Sequence, residues 1–218
     1  MLLVVVALGF DFTNGFHDAA NAVATAIGSR AIRPLTALGM AAGLNVIGAL
    51  VSTKVAATIG SGIISSPKGH QGLVLVFSAL MGAIAWNLIT WRLRLPSSST
   101  HALIGGLVGA ALVSTGSVRW HVLYKKVALP MVASPLIGVG LGFLLMAVIL
   151  WTFRRFRPAP VNRGFRRAQI LSTAAMAYSH GTQDAQKTMG VITLALVATG
   201  HLKHFHVPLW VILAAAAA

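Results

Sequence analysis

The chain has 218 residues, 56% of them hydrophobic and only 9% charged, with a mean hydropathy of +0.81. A soluble domain carries about a quarter charged residues, so this composition cannot build a water-facing surface. The net charge of +14 does not point to nucleic acid, because the densest basic run, 154–167 (RRFRPAPVNRGFRR), sits between two apolar stretches, where positive-inside residues belong.

Six apolar segments are predicted, each near the roughly 20 residues a membrane helix needs. The first covers 2–27 and is interrupted by the polar stretch from Asp11 to Asp18. The second and third cover 34–59 and 72–91. The fourth, 95–115, opens with PSSSTH and continues through Gly105, Gly106 and Gly109, a pattern that predicts a re-entrant or broken helix rather than a plain span. The fifth covers 127–153 and the sixth 168–199, again with polar residues in its middle. A seventh begins near Val207, and the sequence stops inside it; a C-terminally incomplete chain is expected. Cysteine is absent, which removes disulfides and thiolate metal sites from consideration.

Counting the first five segments as single crossings puts ten basic residues, including those of the 154–167 linker, on one face and six on the other. That bias places the linker in the cytoplasm. An odd number of crossings before it predicts that the second half of the chain is inverted relative to the first.

The strongest internal signal is a repeat at an offset of 166 residues, at which NGFHDAANA (Asn14 to Ala22) aligns with HGTQDAQKT (His180 to Thr188). Gly15 matches Gly181, Asp18 matches Asp184 and Ala19 matches Ala185. Two of the chain's three acids therefore coincide, in stretches that interrupt apolar spans, which is the sequence pointer to a transporter's midplane site. A charge at the bilayer centre costs about 2.5–3.5 kcal/mol on insertion scales. Asp18 and Asp184 facing one cavity would repel a bare anion, so they are read as ligands of a cation or proton that travels with it. Asn14 and Asn21 can add amide oxygens, and Asp11 is either a further cation ligand or a helix cap.

Four consecutive hydroxyls, Ser97, Ser98, Ser99 and Thr100, offer donors to an oxyanion, and Pro96 suits a helix start. Lys187 either pairs with Asp184 or touches the anion. His17, His101 and His180 stand beside these motifs as candidate proton relays or simple hydrogen-bonding groups. His201, His204 and His206 form an HxxHxH cluster, read as a solvated loop rather than a metal site. Asn45 and Asn87 are read as helix-packing residues.

TNGFHDAANAVAT, LPSSSTHALIGG and HGTQDAQKTMG together resemble the PiT family of inorganic phosphate transporters over nearly the whole chain. The resemblance implies symport of inorganic phosphate with sodium ions or protons, and for some bacterial members uptake of a metal–phosphate complex. It implies that Asp18, Asn21, Asp184 and Thr188 belong to the ion and phosphate site and that Ser97 to Thr100 form the phosphate-contacting tip of a hairpin. The family's second such hairpin is absent from this sequence.

The resulting expectation is an all-α, polytopic transmembrane helix bundle with broken helices and a re-entrant hairpin, built as an inverted-repeat transporter. The first repeat occupies 1–153 (hairpin 95–115), the basic cytoplasmic linker 154–167, and the start of a second repeat 168–218. Phosphate binding is assigned to Ser97, Ser98, Ser99, Thr100, Lys187 and Thr188, and cation or proton coupling to Asp18, Asn21, Asp184, Asn14 and Asp11. No catalytic residue, resident metal or cofactor is expected; sodium or a proton serves as co-substrate. The expected partners are inorganic phosphate, the coupling cation and the lipid bilayer of a cell membrane, without nucleic acid and with a homodimer left open. Sulfate or metal–phosphate symport is the alternative within transport, an intramembrane metal-dependent enzyme or a scaffold the alternatives outside it. The chain holds no glutamate, no HExxH and no GxSxG, which weighs against the enzyme.

Overall fold

The computed structural model describes residues 2–64, 69–114 and 117–218; the side chains of Phe16, His17, Ala19, Ala20, Asn21 and Ser61 lie outside this description. The described residues form an all-helical bundle whose one strand-like contact is an isolated bridge between Ile64 and Val118. In order, the helices are α1 (Leu2–Gly28), α2 (Pro34–Ala49), α3 (Lys54–Ala57), α4 (Gly69–Arg92), α5 (Ser99–Ser114), α6 (Trp120–Leu123), α7 (Leu129–Phe153), α8 (Pro158–Ala198) and α9 (Leu209–Ala217). Among them α4 and the continuous stretch Trp120–Phe153 are each long and apolar enough to cross a membrane, and α2 with α3 counts as a third span if the bent pair is taken as one.

Two expected interruptions are not found. α1 runs unbroken through Asp11 to Asp18, and α8 runs unbroken through His180 to Thr188. The reason lies in side chains rather than backbone: small residues keep the helical ladder intact, and the polar groups meet each other across helices instead of opening the helix for partners. The break occurs elsewhere. α2 and α3 are bent by 63° across residues 50–53, and a π-helical turn, Thr58–Gly62, follows α3. Inside a membrane such a break is tolerated only where the freed amides find protein partners. Here Gln186 of α8 supplies them, its Oε1 accepting the backbone N–H of Val55 at 2.7 Å and of Ala56 at 3.3 Å.

Segment 95–114 also differs from the expected hairpin. Residues 95–98 have no regular secondary structure and Ser99–Ser114 is one helix, with no reversal inside it; Pro96 precedes the helix start by three residues. The chain reverses one step earlier. Trp86 meets Ser97 while Ala79 meets Gly106, so α4 and α5 run antiparallel. Gly106 makes this possible, since a Cβ there would stand 2.5 Å from the carbonyl oxygen of Ala79.

α8 is the central element. Its 41 residues span about 60 Å at 1.5 Å per residue, twice a bilayer's hydrocarbon core. Its first turns, with Pro158 and Pro160 where no intrahelical N–H is required, carry Arg163, Arg166 and Arg167 of the basic linker on exposed surface. Its buried residues fall between Thr173 and Ala198, and α1, α2, α3 and α9 pack on that part. The α2–α8 crossing is a backbone contact: Gly181 sits against the backbone of Asn45, and Gly48 against Tyr178 and Thr182, with no room for a Cβ at either glycine. Small residues permit such close approach in membrane bundles. α7, by contrast, buries none of its residues.

Candidate functional site

The polar residues of both repeat motifs converge where α1 crosses α8. Ser29 meets Gln169, Asp18 lies with His180, Asn14 meets Asp184, and Asp11 lies beside Thr188. Residue numbers rise along one helix as they fall along the other, so the two motif helices are antiparallel. The pairing has an internal regularity. Asn14 and His180 occupy equivalent places in the repeat, as do Asp18 and Asp184. Asn14 with Asp184 and Asp18 with His180 are therefore equivalent pairs, the first hydrogen-bonded at 3.0 Å and the second with ligand atoms within 4.8 Å.

Asp184 is the hub. Its Oδ2 accepts the Asn14 Nδ2–H group at 3.0 Å and stands 3.0 Å from His180 Nε2, while its Oδ1 is 2.8 Å from Lys187 Nζ. Lys187 is 2% exposed and an ammonium has three hydrogens to donate. They go to Asp184 Oδ1, to Ser99 Oγ at 3.0 Å and to Asn14 Oδ1 at 3.2 Å. Ser99 closes the circuit by donating to Asn14 Oδ1. A buried charge is tolerable when it is paired and every donor is satisfied, and Lys187 meets that condition through groups from α1, α5 and α8. Of the two readings given for this lysine, pairing with Asp184 is the one the geometry shows, and no donor remains for an anion in this arrangement.

The four hydroxyls do not act together. Ser99 is buried and points into the Asp184–Lys187 cluster. Ser97 accepts the Trp86 indole N–H at 2.9 Å, and Ser98 bonds to the His101 ring at 2.8 Å. Ser97, Ser98, His101 and Trp86 line a separate cleft of about 440 Å³ between α4 and α5. Thr100 is half-buried beside them. The helix start at Ser99 separates residues that a linear reading of the motif groups together.

A second cleft, of about 310 Å³, is lined by Asp11, Asn14, Asn45, His180, Asp184 and the last turn of α9. Two buried oxygens bordering it, Asp11 Oδ2 and Asn45 Oδ1, have no hydrogen-bond partner, and neither has Thr188 Oγ1. Unpartnered buried polar atoms call for an explanation, and here they sit around the polar crossing of α1 and α8. Asn45, read from sequence as a packing residue, thus belongs to the site. Gln186 is the other residue that sequence missed; it stands inside the second motif and holds the α3 break. Asn87, by contrast, is buried and donates to Thr13 Oγ1 at 3.4 Å, a packing role.

Asp18, His180 and Asp184 offer three ligand atoms within 4.8 Å of one another, the one such group among the described residues. His201, His204 and His206 are exposed. The side chains of Asn21 and His17, both assigned in the first motif, lie outside the described residues.

Comparison with known proteins identifies the family. Residues 14–161 and 156–218 match the model of the family described as "PHO4: Phosphate transporter family". A Streptomyces halstedii protein named "Probable low-affinity inorganic phosphate transporter" is 58% identical over 183 residues, 84% of this chain and 86% of that protein. Proteins of the same name from Bacillus subtilis (strain 168) and Mycobacterium tuberculosis (strain ATCC 25618 / H37Rv) are 43% and 47% identical over the whole chain, which spans 66% and 53% of their lengths. The fold is similar to a solved structure titled "The sodium-dependent phosphate transporter", with a TM-score of 0.78, 24% identity, and coverage of 99% of this chain and 73% of that one. The relatives are named for transport and not for catalysis, which sets the enzyme alternative aside. With its two motif helices crossing antiparallel and its sequence matched from Asn14 to Ala218, the chain belongs to the phosphate transporter family.

Proposed function

We propose that the protein containing this chain moves inorganic phosphate across a cell membrane in symport with a cation, either sodium or a proton. The single observation that carries the symport reading is the paired contact at the α1–α8 crossing, Asn14 with Asp184 and Asp18 with His180. Equivalent contacts between antiparallel helices are what two inverted repeats meeting at a midplane site produce. They support reading 1–153 and 168–218 as belonging to two related repeats.

Acids in such a place have a use only if a cation neutralises them during transit. Asp11, whose buried Oδ2 has no hydrogen-bond partner, and Asp18 are proposed to meet that cation, because Asp184 is already engaged by Lys187. Phosphate would be met by Thr188, whose hydroxyl is buried and unpartnered, and by hydroxyls of the 97–100 run. The relatives' names and the sodium-dependent structural neighbour support phosphate as cargo and a cation as driver.

The Asp18–His180–Asp184 group favours a second reading of the cargo, a phosphate carried together with a divalent cation. Uptake of labelled phosphate by the full-length protein in vesicles separates the cases. Arsenate competes and sulfate does not if phosphate is the substrate. Removal of divalent cations by a chelator abolishes uptake only if the metal complex is the cargo. Strong competition by sulfate with no effect of arsenate contradicts phosphate transport.

A further inference from the structure

The repeat sets Lys187 against Asn21: where the first half carries an amide, the second carries an ammonium on a four-carbon tether. We propose that Lys187 is a tethered cation. Its ammonium fills the second-half cation position and closes it to ions from solution, leaving the first half to bind the coupling ion. The proposal rests on the symport reading above and specifies which half of the site takes the ion.

The ligand set supports it. The Lys187 ammonium is held by a carboxylate oxygen (Asp184), a hydroxyl (Ser99) and an amide carbonyl (Asn14), at 2.8, 3.0 and 3.2 Å. Carboxylates, carbonyls and hydroxyls are the hard oxygen ligands that coordinate sodium in transporter sites. They come from three different helices, α8, α5 and α1, so the ammonium joins elements as a bound ion does. The side chain is 2% exposed and lines neither of the two polar clefts. It is placed to complete the site, not to receive a ligand from outside.

Charge points the same way. Asp184 is neutralised within its own helix by a partner that cannot leave. Asp184 therefore needs no cation from solution. On α1, by contrast, the buried Asp11 Oδ2 has no hydrogen-bond partner. A purely structural ion pair is the competing explanation, since breaking any buried pair destabilises. The two differ in what rescues the loss.

The test replaces Lys187 in the natural full-length protein with Asn, its repeat equivalent, with Gln, and with Met, which fills the space without charge or oxygen. Thermal stability is titrated with sodium chloride against choline chloride, and bound labelled sodium is counted per chain. The expected result is that Lys187→Asn and Lys187→Gln bind one sodium ion more than the unsubstituted protein and show an additional, saturable rise in Tm. Lys187→Met shows neither. Equal sodium responses in all four proteins overturn the proposal and leave a structural ion pair. So does failure of both amide variants to fold with sodium present throughout while Lys187→Met folds. Neither readout requires transport, so a protein that binds ions as expected but accumulates no phosphate contradicts the symport reading instead.

Discussion

Gln186 Oε1 accepts the backbone N–H groups of Val55 and Ala56 at 2.7 and 3.3 Å, tying the repeat motif on α8 to the broken span of α2 and α3. The same helix that carries the ion pair thus also satisfies the amides freed by the bend. Gln186→Leu removes the acceptor while keeping the volume. It strands two N–H groups, each costing about 1–3 kcal/mol if buried without a partner. A clear fall in Tm of the detergent-solubilised protein is expected; an unchanged Tm would show that water or another group caps α3.

Gly181 rests against the backbone of Asn45, with no space for a Cβ. Gly181→Ala must push α2 from α8, at a cost of about 1–3 kcal/mol for overpacking. It also displaces Asn45 from the cleft, so both Tm and phosphate uptake fall. Gly140→Ala on α7, where a Cβ meets nothing within 4 Å, is the matched control. It leaves Tm unchanged or raises it slightly through the better helix propensity of alanine, about 1 kcal/mol at most.

Adjacent serines have unequal effects. Ser99→Ala removes an acceptor of the Lys187 ammonium and the donor to Asn14, a loss of about 1.5–3 kcal/mol for a hydrogen bond to a charged group. Uptake is expected to fall by roughly tenfold or more, the rate equivalent of that energy. Ser98→Ala, on an exposed hydroxyl bonded to His101, stays within about twofold, as a surface substitution does. Equal losses would mean that the hydroxyl run works as one oxyanion cradle after all.

Asp184→Asn leaves the Lys187 charge buried without its counterion, which costs about 3–5 kcal/mol for pairs of this kind. Adding Lys187→Met to that variant removes the stranded charge and restores part of the stability. The double-mutant cycle, read by Tm, gives a coupling well above the few tenths expected of independent sites. Additive effects contradict the pairing.

Much of this architecture was legible in the sequence, because apolar length and the scarcity of charge are properties of residues alone. The meeting of the two acidic motifs was legible too, since Asp18 and Asp184 cannot sit in a membrane without a reason. What escaped was anything set by helical phase. Ser97 to Thr100 read as one group along the chain, yet the helix starts at Ser99, whose hydroxyl goes to the ion pair, while Ser98 just before it is exposed. The polar stretch from Asp11 to Asp18 read as an interruption because its solution, partners on α5 and α8, lies more than eighty residues away. The real break near residues 50–53 holds only Ser52 and Thr53 as polar residues, and its cap, Gln186, comes from another helix.

The most direct test of the central claim is phosphate accumulation by the full-length protein reconstituted in vesicles, with sodium and pH gradients imposed separately. The account predicts uphill accumulation driven by one of the two gradients, lost in Asp18→Asn although the variant folds. Accumulation under neither gradient, or accumulation by Asp18→Asn equal to that of the unsubstituted protein, would contradict it.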